Sequence, residues 1–210
     1  MLVINKPANW IVQGAGPDQN SLLVWAADYL REKYAKPGNV FVGVVSRLDL
    51  PVTGVLPLAR TSKSASRLSE QFRDQTPNKL YWAIVERQPK ISEGRLEHHL
   101  VRGAEETKTR VVSKPTTDSK LAILEYRCVG ENSFGFELEV RLISGRKHQI
   151  RTQLAAIGCS IVGDKKYNAI RSFPDGIALH CRKLDIVHPT LTTPLSLEAS
   201  LPKYWDWNSY

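Results

Sequence analysis

From Lys79 onward the chain carries one strand pattern after another. The segments KLYWAIVE, GRLEHHLV, TRVVSK, KLAILEYRCV and FGFELEVRLI alternate or run apolar, and Gly, Pro, Asn and Asp separate them. One helical stretch, RKHQIRTQLAAIG, interrupts them and ends at Gly158. Strands resume near residues 177–188 and 195–200, and the chain finishes in the aromatic YWDWNSY. That order predicts a large mixed or antiparallel sheet with few helices, hence the α+β class.

The first third is more varied. LVINKP reads as a short strand stopped by Pro7, and SLLVWAADYLREKYA, residues 21–35, as an amphipathic helix capped by Asn20 or Ser21 and ended by the Lys36-Pro37-Gly38-Asn39 run. A strand at 41–45, a turn at 47–53, a strand at 54–60 and a helix from about Ser62 to Arg73 capped by Thr61 follow. With no internal repeat, low-complexity tract or linker, the 210 residues read as one domain, 1–210.

Lys and Arg outnumber Asp and Glu by 29 to 21, giving a net charge of +8 and a pI near 9.5, and the basic residues recur along the chain. This favours a polyanionic partner, nucleic acid first. An anionic membrane is the competing partner, but no apolar run approaches the length of a spanning helix. The N-terminal MLVINKPANW lacks a basic stretch followed by an apolar one and a cleavage site, so a soluble, cytoplasmic protein is expected. Cys128, Cys159 and Cys181 are odd in number, widely spaced and set among apolar neighbours, which points to buried free thiols.

Within VVSRLDLPVTGVLPLART, two apolar runs flank a turn that holds Arg47 and Asp49, with no second acid, histidine or metal-ligand cluster nearby. Asp is a common turn former beside Pro51 and Gly54, and on these residues alone that reading comes first. The flanking strands are apolar enough to be buried, however, which puts the carboxylate at the mouth of a sheet. A single carboxylate so placed suits nucleophilic attack. On the later helix, Ile150, Leu154 and Ile157 form an apolar stripe with Arg151 at its edge. Such an arginine either snorkels to water or pairs with an anion, and a pair with Asp49 would keep that carboxylate ionised in a poorly solvated cleft.

Gly145, Arg146 and Lys147 put backbone amides and positive charge at the predicted helix start, suited to a phosphate. In NKLYWAIVE, Tyr81 and Trp82 point to opposite faces of a strand, so that only one faces the core. Packing is the first reading for Trp82, while a tyrosine at a cleft can stack on a nucleobase. GAGPD, residues 14–18, lacks the context of a dinucleotide fingerprint and reads as a loop. His98 and His99 point to opposite strand faces, and His180, Cys181 and His188 do not match a zinc spacing, so neither metal nor cofactor is expected.

In this order the sites resemble the RluA-type family of RNA pseudouridine synthases, and the similarity covers nearly the whole chain. NKPANWIV resembles the family's first strand and loop, SRLDLPVTGVLPLART its Arg-Leu-Asp motif, and KLYWAIV its tyrosine strand. GRKHQIRTQLAAIGCSIVGDKKY resembles its basic helix and following turn, and ALHCRKLDIVHP its late strand. The resemblance implies isomerisation of a uridine in structured ribosomal or transfer RNA, on a mixed sheet with a basic central cleft. By the same resemblance Asp49 is the nucleophile, Tyr81 stacks on the target base, Arg151 pairs with Asp49, and Arg47 helps to displace the base. Arg146, Lys147 and His148 are the further RNA contacts. A monomer is expected, without the accessory RNA-binding domain of many relatives.

Departures from the family pattern lie around these residues. Ser46 stands where the family has His and Leu50 where it has a basic residue, while Lys147, Thr152 and Gln153 replace Thr, Val and His. The nucleophile, its partner and the tyrosine are untouched, so the changes bear on RNA contacts and target choice. The chemistry suits a lone carboxylate, because no water is activated and no electrons move. It can attack the ribose anomeric carbon, add to carbon 6 of uracil, or assist elimination to a glycal. Two rivals remain at this level: a catalytically silent RNA-binding protein, and a phosphate-ester hydrolase, which would need a metal cluster or an activated water.

Overall fold

Local pattern accounts for most of the elements. In chain order they are β1 (Leu2–Lys6), α1 (Leu22–Lys33), β2 (Gly43–Val44), β3 (Thr53–Ala59), α2 (Ser62–Arg73), β4 (Asn78–Val85), β5 (Glu93–Val101), β6 (Arg110–Val112), β7 (Lys120–Asn132), β8 (Gly135–Leu142), α3 (Gln149–Ala156), a 3-10 turn (Lys165–Tyr167), β9 (Leu179–Val187) and β10 (Pro194–Glu198). The computed structural model describes residues 1–16, 19–102 and 107–205; Pro17 and Asp18 of the GAGPD loop and residues 206–210 of the aromatic end lie outside these. Ser21 caps α1 by accepting from the Val24 amide, and Thr61 caps α2 in a reciprocal box with Ser64.

The strands form one sheet in the order β1-β3-β9-β4-β8-β7-β5-β6, with β2 also on β3 and β10 also on β9. β3 and β9 pair in parallel and the other ladders are antiparallel, so the sheet is mixed, as expected for an α+β fold. Every residue of β3 is buried. Its alternation sends Leu56 and Leu58 to one face with Ile4, Leu22 and Ala26, and Val55 and Ala59 to the other with Leu68. β3 reaches β9 only because position 54 is glycine. Its φ is +119°, and a Cβ there would collide with the backbone of Cys181.

Three expectations need correction. The strand predicted at 41–45 shrinks to Gly43–Val44, because those two residues alone meet Ala59 and Leu58 of β3, and Phe41 is exposed. Tyr81 and Trp82 are both buried, since β4 lies in the middle of the sheet with layers on each face. The helix predicted from Arg146 begins at Gln149, after His148 in a left-handed conformation (φ 54°). It is not amphipathic either: Gln149, Ile150, Arg151, Thr152, Gln153 and Leu154 are all buried.

Candidate active site

The turn that carries Asp49 is held at each carbonyl from Asp49 to Val52. Asp49 O accepts from Val52 N at 3.0 Å, Leu50 O from Asn9 N at 2.9 Å, and Pro51 O from Ile177 N at 3.2 Å. Lys6, fully buried at the end of β1, donates from Nζ to Leu50 O at 3.1 Å, Val52 O at 2.9 Å and Pro7 O at 2.8 Å. Burial lowers the Lys6 pKa to about 8, although the charges of Asp49 and Asp175 pull it upward. A turn fixed at each peptide presents its side chain in one place, which an attacking group requires.

Asp49 is about one-quarter exposed and lines a cleft of about 690 Å³. Arg151 Nη1 donates to its Oδ2 at 2.9 Å, while Oδ1 has no hydrogen-bond partner among the described residues. The expected Asp49–Arg151 pair is therefore present, but it is not the arginine's main attachment. Arg151 forks onto Asp164, from Nε to Oδ2 at 2.7 Å and from Nη2 to Oδ1 at 2.8 Å, and the Tyr167 ring lies 4.9 Å from the guanidinium carbon. Burial disfavours the Arg151 charge, yet the hydrogen bonds and charges of Asp164 and then Asp49 outweigh it and hold the pKa above its ordinary value. Asp164 and Tyr167 flank the short turn after α3. No local pattern in GDKKY marks Asp164 or Tyr167, and none in NKP marks Lys6, since each acts through partners distant in sequence.

Tyr81 and Lys79 share the cleft face of β4, as residues two apart on a strand must. Burial, and then the neighbouring Cys181 thiol, push the Tyr81 pKa well above its usual value. Burial likewise pushes the Cys181 thiol up to about 12. Both groups stay neutral, and the phenol ring is left as an apolar wall. On the opposite face the Trp82 ring stacks under the Arg182 guanidinium, 5.0 Å away, which is packing.

The basic residues divide. Arg47 and Lys147 are exposed at the mouth of the cleft. The Lys147 pKa is lowered by burial and by the repulsion of Arg102, Arg47 and Lys166, which marks a cationic rim. Arg146 is engaged with the protein: its Nε donates to Leu121 O at 3.1 Å, and its amide donates to Gln149 Oε1 at 2.9 Å. That amide is not free for the phosphate that the sequence pattern suggested. His148 is buried beside Asp49 in the wall of the cleft. Thr152 and Gln153 are buried as well, and Gln153 Nε2 donates to Ala122 O at 3.1 Å, so these two departures change packing beneath the site. Ser46 and Leu50 do line the cleft.

Comparison with known proteins gives one consistent result. Residues 1–156 match the RNA pseudouridylate synthase family. Ribosomal large subunit pseudouridine synthase D of Zymomonas mobilis is 30% identical over 97% of this chain and 67% of its own length. tRNA pseudouridine synthase C of Salmonella typhi is 29% identical over 98% of this chain and 84% of its own. Among solved structures, human RNA pseudouridylate synthase domain containing 4 superposes with a TM-score of 0.79, at 25% identity over 96% of this chain and 85% of that one.

Proposed function

The chain belongs to the RNA pseudouridylate synthase family, of RluA type, and from that premise we propose that it isomerises uridine to pseudouridine in structured ribosomal or transfer RNA, with Asp49 as nucleophile and the target nucleotide flipped out of its stack. The manner in which Asp49 is held carries this reading. One oxygen is bound by Arg151, the turn beneath is fixed, and the other oxygen of this cleft-lining residue has no hydrogen-bond partner among the described residues. A carboxylate held in this way has a lone pair ready in one direction.

The reaction breaks the bond between ribose C1′ and uracil N1, turns the base, and joins C1′ to C5. A proton leaves C5 and one is taken up at N1, so product and substrate are isomers. Direct attack on C1′, addition to C6 and assisted elimination all need an open carboxylate oxygen, and Oδ1 serves for each. Tyr81 supplies the flat wall on which the uracil stacks. Arg47, at the mouth, takes the place of the flipped base in the RNA, a step that costs a few kcal/mol and favours loops and weak pairs. The rim of Arg47, Lys147 and Lys166 neutralises phosphates, so log affinity should fall linearly with log salt.

The test is to incubate the protein with total cellular RNA and map new pseudouridines by a chemical stop assay. Site-specific product is expected from the wild type and none from Asp49→Asn, with RNA affinity little changed. Turnover by a clean Asn variant would remove Asp49 from its role. Binding without any product from the wild type would favour a catalytically silent RNA-binding protein, and a flat salt response would point to a small-molecule substrate.

A further inference from the structure

His148 is held in the cleft wall by a specific set of contacts. Its backbone is left-handed, which a residue with a side chain adopts at a cost of about 1 kcal/mol or more. Its ring is only 7% exposed, within the wall of the cleft. Nδ1 lies 2.7 Å from the Tyr167 hydroxyl, and the two rings meet edge to face, 5.6 Å between centroids. The same hydroxyl oxygen accepts the Thr109 amide at 3.0 Å.

These contacts decide where the imidazole hydrogen sits. A phenol has one hydrogen, and with Thr109 already donating to its oxygen, that hydrogen is directed at Nδ1. Nδ1 is then the accepting nitrogen, and a neutral ring carries its hydrogen on Nε2. The opposite tautomer would leave the buried Tyr167 hydrogen without an acceptor among the described residues and would turn a bare Nε2 lone pair toward a carboxylate. Nε2 lies 3.7 Å from Asp49 Oδ2, the oxygen that Arg151 also holds. Burial first, and then the charges of Arg151, Lys166 and Lys147, lower the His148 pKa to about 4 against the pull of Asp49. The ring facing Asp49 is therefore a neutral N–H donor and not an imidazolium.

We propose that His148 is a positioning residue for Asp49: Tyr167 fixes the Nε2–H tautomer, and this N–H closes onto Oδ2 when RNA fills the cleft. Arg151 and His148 then hold one carboxylate oxygen between them and leave Oδ1 as the attacking atom. The catalytic meaning rests on the reading of Asp49 as nucleophile; the tautomer does not. Tyr167 has two tasks, since its ring lies under the guanidinium of Arg151 and its hydroxyl orients His148. Because Asp164 and Tyr167 flank one short turn, that turn sets both donors to Asp49.

The experiment is nitrogen-15 NMR of histidine-labelled protein without RNA, the His148 signals being assigned by their loss in His148→Asn. A bare Nδ1 and a protonated Nε2 are expected, with a mixture of tautomers in Tyr167→Phe. Single-turnover rates then test the role. Tyr167→Phe and His148→Asn should slow the reaction of the folded fraction by roughly 10²-fold, with RNA affinity little changed; Tyr167→Phe should also lower the thermal midpoint, because the Thr109 amide loses its acceptor. His148→Gln, whose amide nitrogen reaches the place of Nε2, should recover most of the rate, whereas the Asn amide sits near Nδ1. A ring protonated at Nδ1, or equal rates for the Gln and Asn variants, would overturn the proposal. An active Asp49→Asn beside the expected tautomer would instead overturn the nucleophile and leave the tautomer standing.

Discussion

His180, on β9 in the middle of the sheet, and His148, ahead of α3 in the cleft wall, are alike until their last atom. Each is buried, each has its pKa lowered to about 4 with burial as the first cause, and each meets a hydroxyl at Nδ1, from Thr53 at 2.8 Å or Tyr167 at 2.7 Å. They part at Nε2. That of His180 meets the Ala199 carbonyl at 3.2 Å, and its ring packs edge-on to Trp205. That of His148 faces a carboxylate across 3.7 Å, beyond hydrogen-bond reach. His180 thus fastens β3, β9 and the segment after β10 with every polar atom engaged. His148 keeps one donor in reserve beside a cavity. Burial and pKa do not separate the structural histidine from the working one; the engagement of the last N–H does.

The largest disturbance to one side of this comparison is Arg151→Met. It strands the buried Asp164 as well as Asp49, and should cost about 3–5 kcal/mol in urea unfolding together with most of the activity. The tautomer of His180 should survive it, and disturbance of both histidines would mean that the two regions are not independent. Acidification acts on both at once. Each histidine binds a proton more readily unfolded, near 6.5, than folded, near 4, so the stability it contributes is complete above about pH 6.5 and is lost as pH falls toward 4. The combined loss should be on the order of a few kcal/mol, and His148→Asn or His180→Asn should each flatten the slope of stability against pH by its own share.

A smaller change separates the two in kind. His180→Asn should lower stability by about 1–3 kcal/mol, by leaving Thr53 or Ala199 without a partner, while the folded fraction turns over normally. His148→Asn, which suits the left-handed backbone, should do the reverse and lower the rate more than the stability. Equal behaviour of the two variants would erase the distinction drawn at Nε2. The smallest expected term is the interaction between Asp49→Asn and Arg151→Met in a double-mutant cycle on unfolding. It should exceed about 0.5 kcal/mol, yet remain a minor part of the arginine's effect, because the bidentate partner is Asp164.

How far the sequence could be read follows from the range over which each interaction acts. The helix from about Ser62 to Arg73 with its Thr61 cap was legible, because caps and helical spacing operate over a few positions. Strand order was not legible beyond the class. That β9 inserts between β3 and β4, parallel to one and antiparallel to the other, follows from packing across the sheet, and no local signal states it. The start of α3 was misplaced for a related reason. Gln149 folds back to accept from Arg146 N and Ser144, and such a side-chain closure of the preceding turn leaves no mark on helical periodicity.

At the site, residue pattern and family likeness together singled out an acid, a tyrosine and an arginine: Asp49 sits in a turn between two apolar runs, Tyr81 on a buried strand, and Arg151 on a helix with no nearby acid of its own. The pairing of Asp49 with Arg151, 102 residues apart, rested on charge and family likeness, and the structure places the two within 2.9 Å. Tertiary structure decided the rest. A guanidinium offers donors along two edges, and one carboxylate can occupy only one of them; which acid takes the other depends on where the turn after α3 comes to lie. Asp164 fills that edge, Tyr167 turns His148 toward Asp49, and Lys6 reaches Leu50 and Val52 across 44 and 46 residues of chain. These contacts exist only once β1, β3 and β9 lie side by side, because a side chain finds its partner by position in space, and that position is set by the packing of the whole sheet.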